Sequence, residues 1–282
     1  MPFFRYQNVN LHYYEYGDGP GLMFAFHGFG MRGTQFEVLV PALREQYTIY
    51  SFDLFFHGKT ELFDTSVELV RKGLSVKDLG QCILAFRKMI GAEGKRIALL
   101  SYSIGSLMAW SLIETIPQYI AAAFFIAPDG IEPNKLLKIG SRNPLVNRLF
   151  YQLVYRPKTV MFALKTLHRF HYIDDPLYRI LSQEFKSTET RLTCYNAITY
   201  YSRMSFDADS LALRLNSNDI RSYFYFGKHD KLFPARIGDA FVKKLKQGCL
   251  HVFDEGHELV NDRLAECLRE QLMRDHTSMK EV

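Results

Sequence analysis

Six polar residues in this sequence each follow a short apolar run, and serine, acidic and histidine side chains are all among them. They are His27, Asp53, Ser103, Asp129, Asp230 and His257. A serine hydroxyl is a weak nucleophile at neutral pH, and it attacks a carbonyl carbon only when a neighbouring base accepts its proton. Histidine is a common base for this step, and a carboxylate orients it. The sequence therefore contains the residue types for nucleophilic catalysis, provided that the fold brings them together.

The segment around Ser103 has the pattern of a strand, a tight turn and a helix. Residues 97–100 are an apolar run typical of a buried parallel strand, and an apolar helix begins near residue 106. This is the context of a nucleophile elbow, whose apex serine needs small neighbours two positions away on either side. Gly105 meets that demand, whereas Ser101 stands where the motif usually has glycine. On this segment alone, Ser103 is equally compatible with a helix N-cap.

The remaining pattern alternates strands with helices, which predicts an α/β fold with a doubly wound, mostly parallel sheet. An N-terminal hairpin is predicted over residues 3–16, and residues 54–74 are predicted to be a loop. Strands are predicted at residues 22–26, 47–52, 97–100, 121–127, 221–226 and 249–253. Helices are predicted at residues 34–44, 75–90 and 235–246, with a last one that ends near residue 274. In such a sheet, active groups gather at the carboxyl ends of the strands.

Residues 131–205 break this alternation, since they are helical in pattern, aromatic and basic, with no strand candidate. We interpret them as a helical cap inserted into a core made of residues 1–130 and 206–282. The segment contains twelve Lys or Arg and five Asp or Glu, a net charge of +7 against +5 for the whole chain. One interpretation is a solvated basic face over an apolar underside. The other is a cap that takes an acyl chain and attracts an anionic partner, such as an acyl carrier protein, a coenzyme A thioester or an anionic membrane surface.

The chain order of serine, acid and histidine at the strand ends resembles that of the α/β-hydrolases. The matching pieces are residues 27–30, Asp53 with residues 57–60, residues 101–105, residues 227–230 and residues 256–257. The resemblance covers nearly the whole chain and implies a catalytic triad of Ser103, Asp230 and His257. Asp129 also follows a strand and remains the alternative acid.

The same resemblance and the chemistry of acyl transfer predict an oxyanion hole. The negative oxygen of a tetrahedral intermediate needs fixed hydrogen-bond donors. The backbone N–H of Ile104, directly after the serine, is one candidate, and the N–H of Phe29 is the second. His27 and His57 are expected to stabilise loops, as is Asp53, and His229 is expected to point away from the site.

These residues predict a serine hydrolase that cleaves a carboxylic ester of a small or medium hydrophobic acyl group through an acyl-enzyme. The same groups could cleave a thioester, an amide or a carbon–carbon bond beside a carbonyl. A different class is indicated by Gly28-x-Gly30-x-x-Gly33 with Asp53 about 20 residues later, which is the fingerprint of a dinucleotide-binding oxidoreductase. A non-catalytic binding protein on the same fold is the third possibility.

The composition of the chain limits the classes of protein that the sequence can encode. Hydrophobic residues make up 48% of the 282 residues, which is not the composition of a disordered chain. The four cysteines are scattered, no signal peptide or transmembrane run is recognisable, and a cytoplasmic location is expected. No spacing typical of metal ligands and no nucleic-acid-binding motif is present, so neither a cofactor nor a nucleic-acid partner is expected. The expected partner is a small ester or acyl substrate.

Overall fold

The computed structural model describes residues 2–132, 143–173 and 175–280, and its centre is a nine-stranded sheet. The strands are β1 (Phe3–Tyr6), β2 (Val9–Tyr16), β3 (Gly21–Phe26), β4 (Tyr47–Phe52), β5 (Glu61–Leu62), β6 (Ile97–Tyr102), β7 (Ile120–Ile126), β8 (Arg221–Gly227) and β9 (Gly248–Phe253).

The sheet is parallel except at its N-terminal edge. Its strand order is β1-β2-β4-β3-β6-β7-β8-β9, with β5 paired to β2. β1 and β2 form the predicted antiparallel hairpin, and β2 also runs antiparallel to β4. All residues of β6 are buried, because helices cover both faces of a parallel sheet. The fold class predicted from the alternating pattern is confirmed.

Helices connect the strands and cover both faces of the sheet. They are α1 (Val40–Leu43), α2 (Val67–Lys72), α3 (Val76–Met89), α4 (Ser106–Thr115), α5 (Pro144–Leu153), α6 (Pro157–Arg169), α7 (Asp175–Glu184), α8 (Thr188–Tyr201), α9 (Ala208–Ser217), α10 (Ala235–Val242) and α11 (Asp262–Lys280). The two faces have separate cores, as adjacent residues of β7 illustrate. Phe125 packs with Trp110 on one side, whereas Phe124 belongs to the cluster that contains Leu268 of α11 on the other.

Two predictions of local structure were wrong. The single helix predicted over residues 34–44 is a 3-10 helix, Gly33–Leu39, followed by the short α1. Pro41 has no N–H, so the α-helical bond to the carbonyl of Glu37 cannot form there. The loop predicted over residues 54–74 contains β5 and α2, and α2 begins at Ser66, whose side chain accepts a hydrogen bond from the Leu69 amide.

Between β7 and β8, the described residues up to 205 form α5 to α8 and their connections. Tyr201 of α8 donates a hydrogen bond from its hydroxyl to the carbonyl of Phe55, and the Leu74 amide donates to the carbonyl of Tyr200. α8 therefore lies against the segment that follows β4. The charges predicted at Lys135, Lys138, Arg142 and Asp174 lie outside the described residues.

Candidate active site

Ser103 lies at a sharp turn between β6 and α4. Its backbone φ is +51°, in the left-handed region that non-glycine residues rarely adopt. Such strain persists only where the surrounding structure enforces it, and it is frequent at functional sites. The turn lifts the Ser103 hydroxyl from the carboxyl end of β6 instead of turning it into the sheet. The conformation is therefore that of a nucleophile elbow.

Close packing explains the small residues on either side of Ser103. A Cβ atom at Gly105 would lie 2.1 Å from the carbonyl oxygen of Phe26, so only glycine fits. Ser101, where the motif usually has glycine, is buried, and its hydroxyl lies 3.2 Å from that of Ser106 at the start of α4. The departure from the motif is thus accommodated by a hydrogen bond between two buried serines.

His257 lies between the serine and an acid, and hydrogen bonds connect the three side chains. Its Nε2 is 3.1 Å from Ser103 Oγ, and its Nδ1 is 2.8 Å from Asp230 Oδ2. An Nδ1–H that donates to the carboxylate leaves Nε2 free to accept the serine proton. All three residues are at least nine-tenths buried. The structure brings together the three residues that the chain order predicted.

The other oxygen of Asp230 is also occupied. Oδ1 accepts hydrogen bonds from the backbone amides of Leu232 and Phe233, at 2.8 and 3.0 Å. These bonds fix the carboxylate, so Oδ2 is aimed at the imidazole. The rival acid, Asp129, instead contacts the turn through its backbone, since its amide donates to the Ser103 carbonyl and its carbonyl accepts from Trp110 Nε1. The geometry favours Asp230 as the partner of His257.

Two aromatic residues, Tyr102 and Phe233, hold His257 in place. No pattern in the sequence marks either of them. The Tyr102 hydroxyl donates to the backbone carbonyl of His257 at 3.1 Å, and the Phe233 ring lies 5.5 Å from the imidazole. Tyr102 also explains a glycine, because a Cβ atom at Gly28 would lie 2.6 Å from its ring. Tyr102 directly precedes Ser103 and Phe233 follows Asp230 by three residues, but only the fold reveals the contacts with His257.

The two amides predicted for the oxyanion hole belong to segments that pack together. Ile104 directly follows Ser103, and the close approach of Gly105 to the Phe26 carbonyl brings the end of β3 against the same turn. Phe29 lies three residues beyond that strand. In the described part of the chain, neither the Phe29 nor the Ile104 amide donates a hydrogen bond to the backbone of another element. Both donors are thus available to an acceptor, and their role in an oxyanion hole stays a prediction.

The loop that carries Phe29 is anchored by a buried carboxylate. Asp53 Oδ1 accepts from the Gly33 amide at 2.8 Å, and Oδ2 accepts from the Lys59 amide and from His12 Nδ1, both at 2.9 Å. Asp53 is fully buried. It therefore joins β2, the loop after β3 and the loop after β4, which agrees with the anchoring role expected of it. His12 was not predicted, because nothing in the alternating pattern of β2 marks it as a partner of Asp53.

The same contacts weaken the dinucleotide interpretation. That interpretation needs the Asp53 carboxylate to bind a ribose hydroxyl. Both of its oxygens already accept hydrogen bonds, one of them from Gly33 in the glycine motif itself. A ribose would have to displace buried contacts that hold the loop.

The other predicted histidines have structural partners. His27 accepts from the Leu54 amide at Nε2 and donates to the Gly28 carbonyl from Nδ1, and burial beside His57 lowers its pKa well below the usual value. Burial also lowers the pKa of His57, although its bond to the Phe55 carbonyl opposes this. His229 is exposed and pairs with Asp254. As expected, His229 does not join the site.

Among residues 2–132, 143–173 and 175–280, no group of three His, Cys, Asp or Glu side chains could hold a metal ion. Within those same ranges, no helix has the length and apolar character needed to cross a bilayer.

Comparison with known proteins places this geometry in a family. The family model described as "alpha/beta hydrolase fold" matches residues 21–263. The chain is 19% identical over 273 residues to the uncharacterized hydrolase YugF of Bacillus subtilis, covering 95% of each chain. It is 24% identical over 140 residues to the pimeloyl-[acyl-carrier protein] methyl ester esterase of Vibrio parahaemolyticus, covering 46% of this chain and 49% of the relative.

Solved structures show the same fold. A thermophilic esterase from Thermogutta terrifontis superposes with a TM-score of 0.69 at 15% identity, covering 94% of each chain. A structure from a study of carboxylesterases of Nitrososphaera gargenis superposes with a TM-score of 0.67 at 14% identity, covering 100% of each chain. The chain therefore belongs to the α/β hydrolase family of enzymes.

Proposed function

We propose that this hydrolase cleaves a carboxylic ester of a small or medium hydrophobic acyl group, with Ser103 as the nucleophile. The observation that carries the proposal is the position of His257, whose two ring nitrogens lie 3.1 Å from Ser103 Oγ and 2.8 Å from Asp230 Oδ2. A serine held in this way has its base already in hydrogen-bond reach.

In the first half of the reaction, Ser103 Oγ attacks the carbonyl carbon of the ester while Nε2 of His257 takes the hydroxyl proton. Asp230 stabilises the resulting imidazolium through Nδ1–H. The tetrahedral intermediate then collapses, the bond to the alcohol oxygen breaks, and His257 returns its proton to that oxygen. An acyl group on Ser103 and a free alcohol result.

The second half repeats these steps with water as the nucleophile. His257 takes a proton from the water, the hydroxide attacks the acyl carbon, and the bond to Ser103 Oγ breaks as Oγ regains a proton. In both halves the amides of Phe29 and Ile104 would donate to the negative oxygen. One such donor is typically worth about 10²–10³ in rate.

The choice of an ester rests on two kinds of support. The site contains a neutral serine nucleophile and a histidine base, which suit acyl transfer from an alcohol leaving group. In addition, one matched relative is a methyl ester esterase, and the Thermogutta neighbour is an esterase. Thioesters and anilides contain an acyl carbonyl that the same groups could attack, so an assay of the ester includes both.

We also propose that residues 131–205 are a cap over the core formed by residues 1–130 and 206–282. Two contacts support this division. α8 bonds to the segment after β4 through Tyr201, and the Lys231 ammonium donates to the carbonyl of His171, between α6 and α7. Lys231 adjoins Asp230, so the helical segment meets the loop that holds the acid. A cap in this position would limit the size of the acyl group.

The test compares hydrolysis of p-nitrophenyl esters of increasing acyl length with that of a matched thioester and anilide. We expect the wild type to prefer the ester, and Ser103→Ala to lower kcat by at least about 10³-fold, because the nucleophile is lost. Ser111→Ala is the matched control, since Ser111 is a buried serine of α4 whose hydroxyl bonds only within the helix, to the Leu107 carbonyl. Preference for the thioester or the anilide, or full activity of Ser103→Ala, would contradict the proposal.

A further inference from the structure

The surface of α5 and α6 has an unusual combination of exposed apolar and basic side chains. Five large apolar residues there are between 57% and 75% exposed. They are Leu145, Leu149, Tyr155, Phe162 and Phe170. Tyr172, just beyond α6, is 69% exposed. Isolated exposed apolar residues are common, but a concentration of this kind typically marks an interaction site.

α5 combines a buried polar residue with two exposed leucines. The buried residue in its middle is polar: Asn147 accepts hydrogen bonds from Arg71 and from the Tyr195 hydroxyl, and it donates to Thr199. Leu145 and Leu149, four positions apart on one face, are exposed instead. α5 is thus fixed to the protein by this polar network and by the packing of Phe150 and Tyr151 on Tyr195, and it presents Leu145 and Leu149 outward.

The exposed face of α6 is basic with an aromatic residue at its centre. Lys158, Phe162, Lys165 and Arg169 are spaced at intervals of four, three and four residues, so they line one face of the helix, and all are exposed. The buried Leu164 belongs to the opposite side. Basic residues beside an aromatic ring on one exposed face can pair with lipid headgroups while the ring enters the boundary of the bilayer.

The positive charge of the segment that contains α5 and α6 is not balanced by acidic residues. Residues 143–173 contain five Lys or Arg and no Asp or Glu. All five are exposed, and none forms a salt bridge with another residue in the described ranges. Such a cluster attracts anionic lipid headgroups.

We propose that the α5–α6 surface, made of Leu145, Arg148, Leu149, Lys158, Phe162, Lys165, Arg169, Phe170 and Tyr172, binds the surface of an anionic membrane. The basic residues would pair with lipid phosphates, and the apolar ones would enter the boundary between headgroups and acyl chains. A lipid surface fits better than an acidic protein, because the apolar side chains protrude and a fluid boundary can receive them without a complementary pocket.

The surface also has a defined relation to the candidate active site. Phe170 and Tyr172 flank His171, whose carbonyl accepts a hydrogen bond from Lys231, the neighbour of Asp230. Membrane binding would therefore bring the acid loop close to the lipid. Leu232, in the same loop, is also exposed. The proposal does not depend on ester hydrolysis, since binding to lipid needs none of the triad residues.

The test is flotation of the purified protein with vesicles of phosphatidylcholine alone or mixed with phosphatidylglycerol. We expect binding only to the mixed vesicles, weakened by salt. Lys165→Glu with Arg169→Glu should lower the partition coefficient by about thirtyfold or more. Each basic residue near an anionic membrane raises that coefficient about fivefold. Leu149→Ser with Phe162→Ser should also weaken binding, while Ser103→Ala should bind like the wild type.

The matched control variants change residues outside the α5–α6 surface. Leu213→Ser changes an apolar residue of α9 that is 67% exposed, and Lys77→Glu with Arg269→Glu reverses two exposed charges on α3 and α11. Near-ultraviolet circular dichroism verifies that each variant is folded. The proposal is overturned if the wild type does not float with the mixed vesicles, if it binds both kinds equally, or if the controls weaken binding as much. Binding to an acyl carrier protein without binding to vesicles would also overturn it.

Discussion

At Asp230, the two carboxylate oxygens have separate hydrogen-bond partners. Oδ1 is held by the amides of Leu232 and Phe233, and Oδ2 faces His257 Nδ1. A carboxylate fixed in this way selects the imidazole tautomer whose Nε2 can accept a proton from Ser103. Asp129 contacts the turn at Ser103 through its backbone amide and carbonyl. The two acids can therefore be distinguished by experiment.

Asp230→Asn should lower kcat by up to about 10⁴-fold, because an amide that donates to Nδ1 favours the wrong tautomer. Asp129→Asn should have a much smaller effect on kcat, since Nδ1 of His257 is paired with Asp230. Steady-state kinetics on the preferred ester measure both, and thermal unfolding verifies that the variants fold. A mild loss for Asp230→Asn together with a large loss for Asp129→Asn would assign the acid to Asp129.

The sequence predicted that Ser103, Asp230 and His257 would lie together, since each follows a strand in the order typical of the family. It could not predict the residues that hold them. Tyr102 contacts His257 across 155 positions, and Ser101 lies within hydrogen-bond distance of Ser106. Such contacts depend on how separate strands and helices pack, which no local pattern records.

The conformation of the loop after β3 depends on a residue that is distant in the sequence. Asp53, at the end of β4, holds the Gly33 amide of that loop, and His12 of β2 donates to the same carboxylate. Phe29, the predicted oxyanion donor, lies in this loop. We interpret Asp53 as a positioning residue for the Phe29 amide.

Asp53→Asn should lower kcat by about 10²-fold with little change in KM. An amide nitrogen at the position of Oδ2 would face the donors of His12 and Lys59, and a side chain that turns away from them loosens the bond from the Gly33 amide to Oδ1 that holds the loop after β3. The kcat is measured per active site by burst titration. Asp254→Asn is the control, since that carboxylate follows β9 and is 67% exposed. A purely structural role would reduce the titratable fraction or the melting temperature while leaving kcat per site unchanged.

Elements marked by a continuous apolar run or by a long helical period were predicted well, and short elements with neither were not. The fully buried β6 and the fourteen-residue α3 have their predicted positions. β5 has two residues and α2 has six, too few to show a period. A single Pro41 was enough to divide the helix predicted over residues 34–44. α9 has no predicted counterpart.

For the whole molecule, the parallel sheet explains how a site forms from distant segments. Ser103 and His257 are 154 positions apart, yet β6 and β9 end at the same edge of the sheet. The alternating pattern predicted that edge, and the family match over residues 21–263 agrees with it. The outward-facing apolar residues of α5 could not be predicted, because their exposure depends on the burial of Asn147.

The most direct test of the account is the mass of the protein after reaction with a fluorophosphonate, which modifies only an activated serine. We predict one adduct, located on Ser103 by peptide mass spectrometry, absent in Ser103→Ala and formed much more slowly in His257→Gln. That result would establish that the chain of hydrogen bonds from Asp230 through His257 activates Ser103. An adduct on another residue, or equal labelling of the His257→Gln variant, would contradict it.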